Sequence, residues 1–463
     1  QTMGDRVIRI KYSEAPILAG EITHHGNMET NGALLSRYLK IEDVVTLGGT
    51  GELVLTDFFH QIQGQTSDAL LVHGADHSIR GKGQIGADSL GLINHGLIDA
   101  DMAGFIPYLT IDPSDHDLDG LGADVVNVGT LRASNGGTLR LSDGVFANQG
   151  VIEAWDGSAV ELASNAKIVG GTLQTMGDGV IRIMSGQMPI LAGEITHHGN
   201  METNGHNVHV YLKIEDVVTL GGTGELVLTH PFHSIRGQTP DALLVHGADH
   251  SIRGTSRDMQ VDVVNYGAIE AEGAAGFTFN HSVTNHGEIY VPGESRVVFN
   301  GGVAGSQGTS GAGPVYVNGE LRPGDVLGAI AFGGDLDFGP SSVLEIEIGG
   351  EAPGLFGAVA ISGTALLDGT LNIALVDPSG GNNPFEPRAG HSFEILTAGG
   401  GLLGSTFDIE PAELPALNGE LYWDVVYGND FVRLDVISPY ASDFDGDGTS
   451  DASDLAWWNA NYG

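Results

Sequence analysis

A long segment of this chain occurs twice. Residues 1–81 return as residues 174–254, with about four positions in five identical, and we name these segments the first and the second copy. A tandem duplication with so little change is typical of repeat architectures, in which each unit contacts only its neighbours along one axis. We therefore expect an extended array rather than a compact enzyme domain. A strand-like stretch, 169–173, leads into the second copy but has no counterpart before the first, so we also expect the chain to begin in mid-unit.

The composition restricts the fold and the partners. Gly accounts for 72 of the 463 residues, and 19 Lys plus Arg stand against 59 Asp plus Glu, for a net charge of −40. A chain so rich in Gly turns often, because Gly adopts positive φ without steric cost. The negative charge repels phosphate backbones and anionic lipid, so nucleic acid is a poor partner and cations are favourable ones. The sequence has no Cys for disulfides, and no apolar run long enough for a membrane span.

A shorter rhythm runs inside this duplication. The pattern Asn-x-Gly, followed by alternating apolar residues, begins at Asn94, Asn127, Asn148, Asn265 and Asn285. Asn127 and Asn148 are 21 residues apart, and Asn265 and Asn285 are 20 apart, which is about the length of one coil in a β-solenoid. The alternation directs Ile and Leu inward and charged residues outward. We predict an all-β fold in which residues 1–300 form a right-handed parallel β-solenoid with coils of about 20 residues.

Two segments of different character follow the predicted solenoid. Residues 301–314 are rich in Gly and Ser and are typical of a flexible connection or a loose final coil. Residues 315–438 contain longer alternating strands separated by turn clusters, which favours an antiparallel β domain. We expect its last two strands, 421–427 and 432–436, to form a hairpin that caps the open end of the solenoid.

The repeat motifs resemble those of a known group of proteins. The Gly-Gly-Thr-Leu rungs at 136–139 and 170–173, with the Asn-x-Gly steps, are similar to repeats in large bacterial surface and secreted proteins of the autotransporter-passenger and filamentous-adhesin type. Residues 317–324, 344–349 and 366–371 resemble the C-terminal part of such passengers. The resemblance implies a bacterial protein, secreted or held at the cell surface, that acts in adhesion, in a matrix or in self-assembled fibres.

The most specific motif lies in an acidic tail, residues 439–463. Between positions 443 and 454, ligand-type residues occupy places one, three, five, seven, nine and twelve of a calcium-binding EF-hand loop, with Gly448 at place six. Hard Ca²⁺ requires six to eight oxygen ligands, which this spacing brings around one ion. We predict a Ca²⁺ site with the ligands Asp443, Asp445, Asp447, Thr449, Asp451 and Asp454.

The tail also resembles one half of a dockerin, the module that docks proteins onto cohesin domains. Residues 455–458, Leu-Ala-Trp-Trp, begin a short helix after the calcium loop. The resemblance implies a cohesin-like or other cell-surface protein as partner, with Trp457 and Trp458 as contacts. The alternative is a solvated acidic tail.

Histidines recur in both copies, as His24-His25 and His73-Gly-Ala-Asp-His77 in the first. Adjacent His residues on a strand point to opposite faces, so such a pair does not chelate one ion. The pair four residues apart converges only on a helix or a turn, whereas the surrounding pattern indicates a strand. We expect these histidines to face solvent or to pack in corners, with zinc or copper binding as the alternative. The acidic loop 112–120 leaves a similar choice between a plain surface loop and a second cation site.

Catalytic motifs do not decide the function. The sequence has no His-Glu-x-x-His, no Gly-x-Ser-x-Gly and no Walker lysine. Parallel β-helices nevertheless include polysaccharide lyases and glycoside hydrolases, so an enzyme acting on polysaccharide is the alternative to a structural or adhesive protein. Its candidate residues, which alternate as on any solvated face, are Arg132, Arg140, Asp143, Glu153 and Asp156.

Overall fold

The computed structural model of this chain describes residues 7–10, 15–32, 35–205, 208–404, 406–409, 414–438 and 452–462. It is all-β, with 55% of residues in strands that form a parallel β-solenoid of about 16 turns and a separate antiparallel sheet. The prediction of an all-β solenoid is thus confirmed. Contacts divide the chain into two units, Gln1–Glu270 and Ala271–Gly463.

The strands of unit 1, the last of which ends at the boundary, have the following bounds. They are β1 Val7–Ile10, β2 Ile17–Thr23, β3 Asn27–Thr30, β4 Arg37–Gly48, β5 Glu52–Gly64, β6 Leu70–His73, β7 Ser78–Gly86, β8 Gly91–Asn94, β9 Leu97–Ala100, β10 Tyr108–Ile111, β11 Val125–Asn127, β12 Thr130–Ala133, β13 Thr138–Ser142, β14 Val145–Asn148, β15 Val151–Ala154, β16 Ala159–Ala163, β17 Lys167–Thr175, β18 Val180–Met184, β19 Ile190–His198, β20 Asn200–Asn204, β21 Val210–Gly221, β22 Glu225–Leu228, β23 His233–Gly237, β24 Leu243–His246, β25 Ser251–Gly254, β26 Ser256–Met259, β27 Asp262–Asn265 and β28 Ala268–Ala271.

The elements of unit 2 are shorter strands and one helix. They are β29 Phe277–Phe279, β30 Val283–Asn285, β31 Glu288–Tyr290, β32 Val297–Phe299, β33 Val303–Gly305, β34 Val315–Val317, β35 Glu320–Pro323, β36 Ala329–Phe332, β37 Leu336–Phe338, β38 Val343–Ile348, β39 Ala358–Ile361, β40 Thr364–Leu366, β41 Thr370–Leu375, β42 Ser392–Ala398, β43 Gly401–Leu402, β44 Tyr422–Tyr427, β45 Phe431–Ile437 and α1 Ala452–Tyr462.

Each coil of unit 1 contributes to three parallel stacks of strands. The first stack contains β6, β8, β11 and β14, which pair in register one after another. The second contains β9, β12, β15 and part of β17, and the third contains β10, β13, β16 and β18. The long strands β4, β5, β7, β17, β19 and β21 bend at a corner, so that their two halves belong to different stacks.

The two copies occupy different faces of unit 1. Strand β6 of the first copy lies in the first stack, whereas its duplicate, β24, pairs with the half of β21 that continues the second stack. Strand β3 lies in the second stack, and its duplicate, β20, pairs with β18 in the third. The distance between the copies is therefore not a whole number of coils, and the second copy is turned by one face about the axis.

The core follows from the alternation along each strand. Leu131, Ile152 and Leu173 stand at the same register position on successive coils and are fully buried. Each buried side chain of this kind stabilises the fold by about 2 kcal/mol. Corners need residues without a side chain where a neighbour comes close: Gly171 has φ of 74°, and a Cβ there would collide with the side chain of Asn148.

Unit 2 contains more parallel strand pairing than the sequence indicated. Strands β38 and β41, and likewise β39 and β42, pair in parallel, so the antiparallel arrangement expected over 315–438 is wrong for those strands. A half-buried strand alternates with period two in either kind of sheet, so the pattern alone does not distinguish them. The Gly/Ser-rich stretch 301–314 contains β33, which pairs with β35 within a coil; the domain boundary drawn there stays a prediction.

The predicted terminal hairpin is confirmed. Strands β44 and β45 pair antiparallel, and β45 also pairs antiparallel with β42. Phe393 on β42 is fully buried and lies 6.1 Å from the ring of Trp423 on β44. The hairpin thus covers the edge of β42, as a cap on an open β edge should. Among the described helical residues, no helix is both long and apolar enough to cross a membrane.

Candidate functional site

The predicted calcium ligands fall almost entirely outside the part of the chain that the structure describes. Outside it lie Asp443, Asp445, Asp447, Thr449 and Asp451. Asp454 stands near the start of α1, and Trp457 and Trp458 lie in the same helix with 40% of each residue exposed. The Ca²⁺ site and its partner therefore stay predictions.

The outer faces of unit 1 carry ion pairs between neighbouring coils. Parallel stacking in register places a basic residue directly above or below an acidic one, as it does for Arg140 and Glu161 on β13 and β16, where the Nη2 to Oε2 distance is 2.7 Å. Ion pairs recur along the unit, some between register partners and others between residues offset in register. The further pairs are Arg9 with Glu29, Arg80 with Glu52 and Asp101, Lys167 with Glu215, Arg182 with Glu202, Arg236 with Asp258 and Arg253 with Glu225.

Arg132 is at the centre of the densest of these clusters. Its Nε and Nη2 donate to Asp99 Oδ2 at 2.8 and 2.5 Å, and its Nη1 lies 3.9 Å from Glu153 Oε1. Both carboxylates are more than nine-tenths buried, so their charges depend on the guanidinium and on hydrogen bonds. Trp155 covers the guanidinium at 4.2 Å, and Gln174 Nε2 donates to Glu153 at 2.7 Å.

The five residues considered for catalysis are only partly brought together. Arg132 and Glu153 share one cluster, whereas Arg140 lies in the next stack, beneath the ring of Tyr108 at 3.8 Å. Asp143 and Asp156 lie at corners, where each accepts a hydrogen bond from a backbone N–H of the following coil. The cluster therefore supplies an arginine and two paired carboxylates rather than the five-residue face that the sequence suggested.

Burial raises the pKa of Asp101 in this region. Desolvation is the main cause, the neighbouring charge of Asp99 acts in the same direction, and Arg80 opposes both. Arg80 Nη1 donates to Asp101 Oδ2 at 3.1 Å. The ion pair holds this carboxyl in place rather than aiming it at solvent.

A hydrogen-bonded chain of histidines lies inside the first copy. His24 Nδ1 is 3.1 Å from His77 Nε2, His77 Nδ1 is 3.1 Å from His73 Nε2, and His73 Nδ1 is 2.7 Å from Asn94 Oδ1. All four residues are buried. The chain continues as an asparagine ladder along one corner, because Asn94 Nδ2 donates to Asn127 at 2.8 Å and the next Asn repeats the contact.

The direction of the ladder fixes the tautomers of these rings. Because Asn94 presents Oδ1 to His73, the Nδ1 of His73 carries the proton and its Nε2 accepts one from His77 Nδ1. The same reasoning makes His24 Nδ1 the donor to His77 Nε2. His24 Nε2 is left as a buried lone pair without a hydrogen-bond partner among the described residues. All three imidazoles are therefore neutral, with one ring nitrogen each protonated.

The second copy repeats this chain on another corner. His197 Nδ1 lies 2.9 Å from His250 Nε2, His250 Nδ1 lies 3.0 Å from His246 Nε2, and His246 Nδ1 lies 2.6 Å from Asn265 Oδ1. His197 Nε2 is again buried without a partner in the described part of the chain. The conserved geometry of both chains shows that the histidines belong to the scaffold of each copy.

Burial lowers the pKa of every imidazole in the two histidine chains. Desolvation is the main cause throughout, and neighbouring imidazoles add to it at His77 and His250. The pKa falls to about 4 for His73, His197 and His246, and to about 3 for His77. The pKa of His24 is lowered by the same desolvation. These values keep the chains neutral at physiological pH.

The expectation for the histidines is therefore confirmed in part. His24 packs in a corner while His25 is exposed, so the adjacent pair does point to opposite faces. The view that His73 and His77 lie on a strand and stay apart is wrong, because residues 74–77 form the corner turn between β6 and β7. The sequence contained evidence for a buried corner here, because His73 occupies the register position that Asn94 occupies on the next coil.

The sequence left a zinc or copper site as the alternative for these histidines. Among the described residues, no group of three or more His, Asp or Glu is arranged to hold a metal ion. In the acidic loop 112–120, Asp117 and Asp119 accept hydrogen bonds from loop backbone N–H groups at 2.8 Å. This use of the carboxylates supports the plain surface loop over a second cation site.

A scan against models of protein families found no match for this chain, and a search of curated proteins found no similar sequence.

Proposed function

We propose that this chain is a structural and adhesive repeat protein of a bacterial surface or extracellular matrix, with a calcium-binding tail. One observation carries the proposal: basic residues of the outer faces of unit 1 are repeatedly paired with carboxylates of neighbouring coils. Groups engaged in this way hold coils together and decorate a surface evenly, whereas catalysis needs a proton donor or acceptor left available to a substrate. The net charge of −40 supports solubility and the binding of cations outside the cell.

The alternative, a polysaccharide lyase or glycoside hydrolase, has its own support in the cluster around Arg132. Two nearly buried carboxylates and an aromatic ring lie beside one arginine there, and acids with a basic residue are what sugar-cleaving sites use. Both carboxylates are nevertheless engaged, Asp99 by Arg132 and Glu153 by Arg132 and Gln174, so neither is aimed at a substrate.

A test for product release separates the two functions. The purified chain is incubated with a panel of neutral and acidic polysaccharides, and reducing ends and unsaturated products are measured beside an authentic lyase. We expect no product from this chain. Release of product that disappears in Glu153→Gln would replace the structural proposal with the enzymatic one.

The calcium tail is tested by protease protection. We expect Ca²⁺ to protect about the last 20 residues of the chain, and we expect Asp443→Ala combined with Asp447→Ala to abolish that protection, because the loop then loses two of its carboxylates. The matched control is Asp76→Ala with Asp249→Ala, which removes two charges from exposed turns. Equal protection of both double variants would contradict the site.

Docking through the tail is a further part of the proposal. Two adjacent, exposed tryptophans on α1, Trp457 and Trp458, suit contact with a cohesin-like or other surface protein. The high charge and the stacked coils are equally compatible with self-assembly into fibres, which the same surface location would favour.

A further inference from the structure

The two copies act as an internal comparison of surfaces. Much of their difference falls in two segments of the second copy, 206–210 and 230–236. The described parts of these segments lie on neighbouring coils, since Val210 and His233 are register partners on β21 and β23. Three of the exchanged positions carry new functional groups on the outer face. The corresponding pairs are Ser36 and His209, Asp57 and His230, and Gln63 and Arg236.

These exchanges complete a row of flat groups in the second copy. The ring of His230 lies 5.1 Å from that of Phe232, Phe232 lies 5.4 Å from His209, and His209 stacks on Tyr211 at 5.6 Å. The guanidinium of Arg236 covers Tyr211 at 3.9 Å. We name these five residues the ring row. Phe232 is 40% exposed and His209 is exposed, so the row presents flat surface to solvent.

The first copy lacks this row, and its backbone differs at the exchanged positions, because residues 57–59 belong to the continuous strand β5 whereas 229–232 lie between β22 and β23. Phe59 and Tyr38 occupy the places of Phe232 and Tyr211, but Phe59 instead contacts Phe58 at 3.9 Å. Asp57, in the place of His230, is buried and accepts a hydrogen bond from the N–H of Phe59, as His230 Nδ1 does from the N–H of Phe232. Either residue can therefore hold this turn, and the ring row is what the second copy gains.

The charges around the ring row define its ligand. Arg236 is neutralised by its ion pair with Asp258, and Lys213 is its register partner on β21. The ion pair leaves the row little charge with which to attract an ionic partner, and the net charge of −40 further disfavours an anionic one. An uncharged ligand with flat apolar faces and many hydroxyls satisfies both conditions. Sugar rings present such faces to aromatic side chains, while imidazole, guanidinium and ammonium groups donate to hydroxyls.

We propose that the ring row is a binding platform for a neutral polysaccharide. The exposed rings of Phe232 and His209 stack against sugars, Arg236 and Tyr211 support the row from one side, and Lys213 binds hydroxyl groups at that end. The inference names a ligand for the adhesive surface proposed above and rests on that function, but it concerns binding without cleavage. The product-release test and the binding test therefore fail independently of each other.

The first copy supplies the test variants. Replacing His209→Ser, His230→Asp and Arg236→Gln together installs the residues that the first copy carries at the three corresponding positions. We expect the unchanged chain to be retarded in affinity gels containing hydroxyethyl cellulose, a neutral glucan, and the triple variant to bind about tenfold more weakly. Pro240→Ser also installs a first-copy residue, outside the ring row, and should bind as the unchanged chain does.

The reciprocal variant makes the test stricter. Ser36→His, Asp57→His and Gln63→Arg in the first copy should create a second platform, so titration calorimetry should report about twice the number of sites. Unchanged affinity of the first triple variant would overturn the proposal. So would binding of polygalacturonate in preference to the neutral glucan, or self-association in sedimentation that the first triple variant abolishes, because either result assigns the row another partner.

Discussion

Acidification from pH 7 to pH 5 should strongly destabilise unit 1. The buried histidines of the two chains are neutral in the folded protein, with pKa values lowered to about 4 at His73, His197 and His246 and to about 3 at His77. In the unfolded chain each returns to about 6.5. The unfolded state therefore binds more protons below pH 6.5, so stability is full above that pH and falls as the pH decreases towards the folded pKa values.

The expected size of this effect is large. Each such histidine contributes a slope of about 1.4 kcal/mol per pH unit between the two pKa values. A descent from pH 6.5 to pH 5 then costs about 2 kcal/mol for each ring, and several rings titrate together. Protonation of one ring also removes an acceptor from its neighbour, since His77 uses both nitrogens in the chain. Reduced repulsion among the carboxylates acts in the opposite direction, so matched variants are needed.

Urea unfolding followed by circular dichroism at pH 7, 6 and 5 measures the slope. His77→Gln with His250→Gln removes the central ring of each chain. We expect this variant to be less stable at pH 7 but to lose less stability on acidification. The control is His25→Gln with His198→Gln, which replaces histidines that lie outside the core beside Thr50 and Thr223. It should change the slope less than the central-ring variant does, because the charges of these histidines only add to the desolvation of His24 and His197. An identical slope in all three proteins would refute the role of the buried chains.

Asn127→Leu should cost about 3 kcal/mol of stability. Asn127 is fully buried, accepts from Asn94 Nδ2 and donates to Asn148 Oδ1, both at 2.8 Å. Leucine fills a similar volume, but Asn94 Nδ2 on one neighbouring coil and Asn148 Oδ1 on the other lose this partner. Each unsatisfied buried group costs about 1–3 kcal/mol. The ladder along that corner is interrupted at its centre.

The chain contains a matched control for this substitution. Asn300 in unit 2 accepts from Asn318 Nδ2 at 2.8 Å and donates to Asn280 Oδ1 at 2.7 Å, but this ladder is exposed. Water replaces the lost partners there, so Asn300→Leu should cost less than about 1 kcal/mol. Thermal and urea unfolding of both variants measure the difference. Equal losses would show that burial of the ladder is not what gives Asn127 its effect.

The solenoid was predictable because its coils repeat a simple rule. Asn-x-Gly corners and period-two strands place Leu131 and Ile152 inward on successive coils, as the structure confirms. The sequence did not distinguish parallel from antiparallel pairing in 315–438, because both kinds of half-buried strand alternate alike. The terminal strands β44 and β45 have a three-residue connection, 428–430, and they do pair antiparallel.

The candidate sites were less predictable for a different reason. Most contacts of the ion pairs and the histidine chains join residues about 20 or more positions apart, and they depend on register between coils. Arg132 contacts Asp99 because both face outward at the same register position, which is visible in the sequence only once the coils are aligned. The alignment of His73 with Asn94 would have indicated a buried polar corner. The ring row depends on which faces the coils present, information that alternation alone does not contain.

The turn of the second copy by one face has a consequence for recognition. A flat partner that binds along one side of unit 1 contacts only one copy of the duplicated sequence, because the other copy presents the same residues on another side. Avidity through both copies would require a partner that wraps around the coil or two separate molecules. Because the two copies lie on different faces, nearly identical sequences form two independent surfaces. Residues on one surface can change while those on the other stay the same.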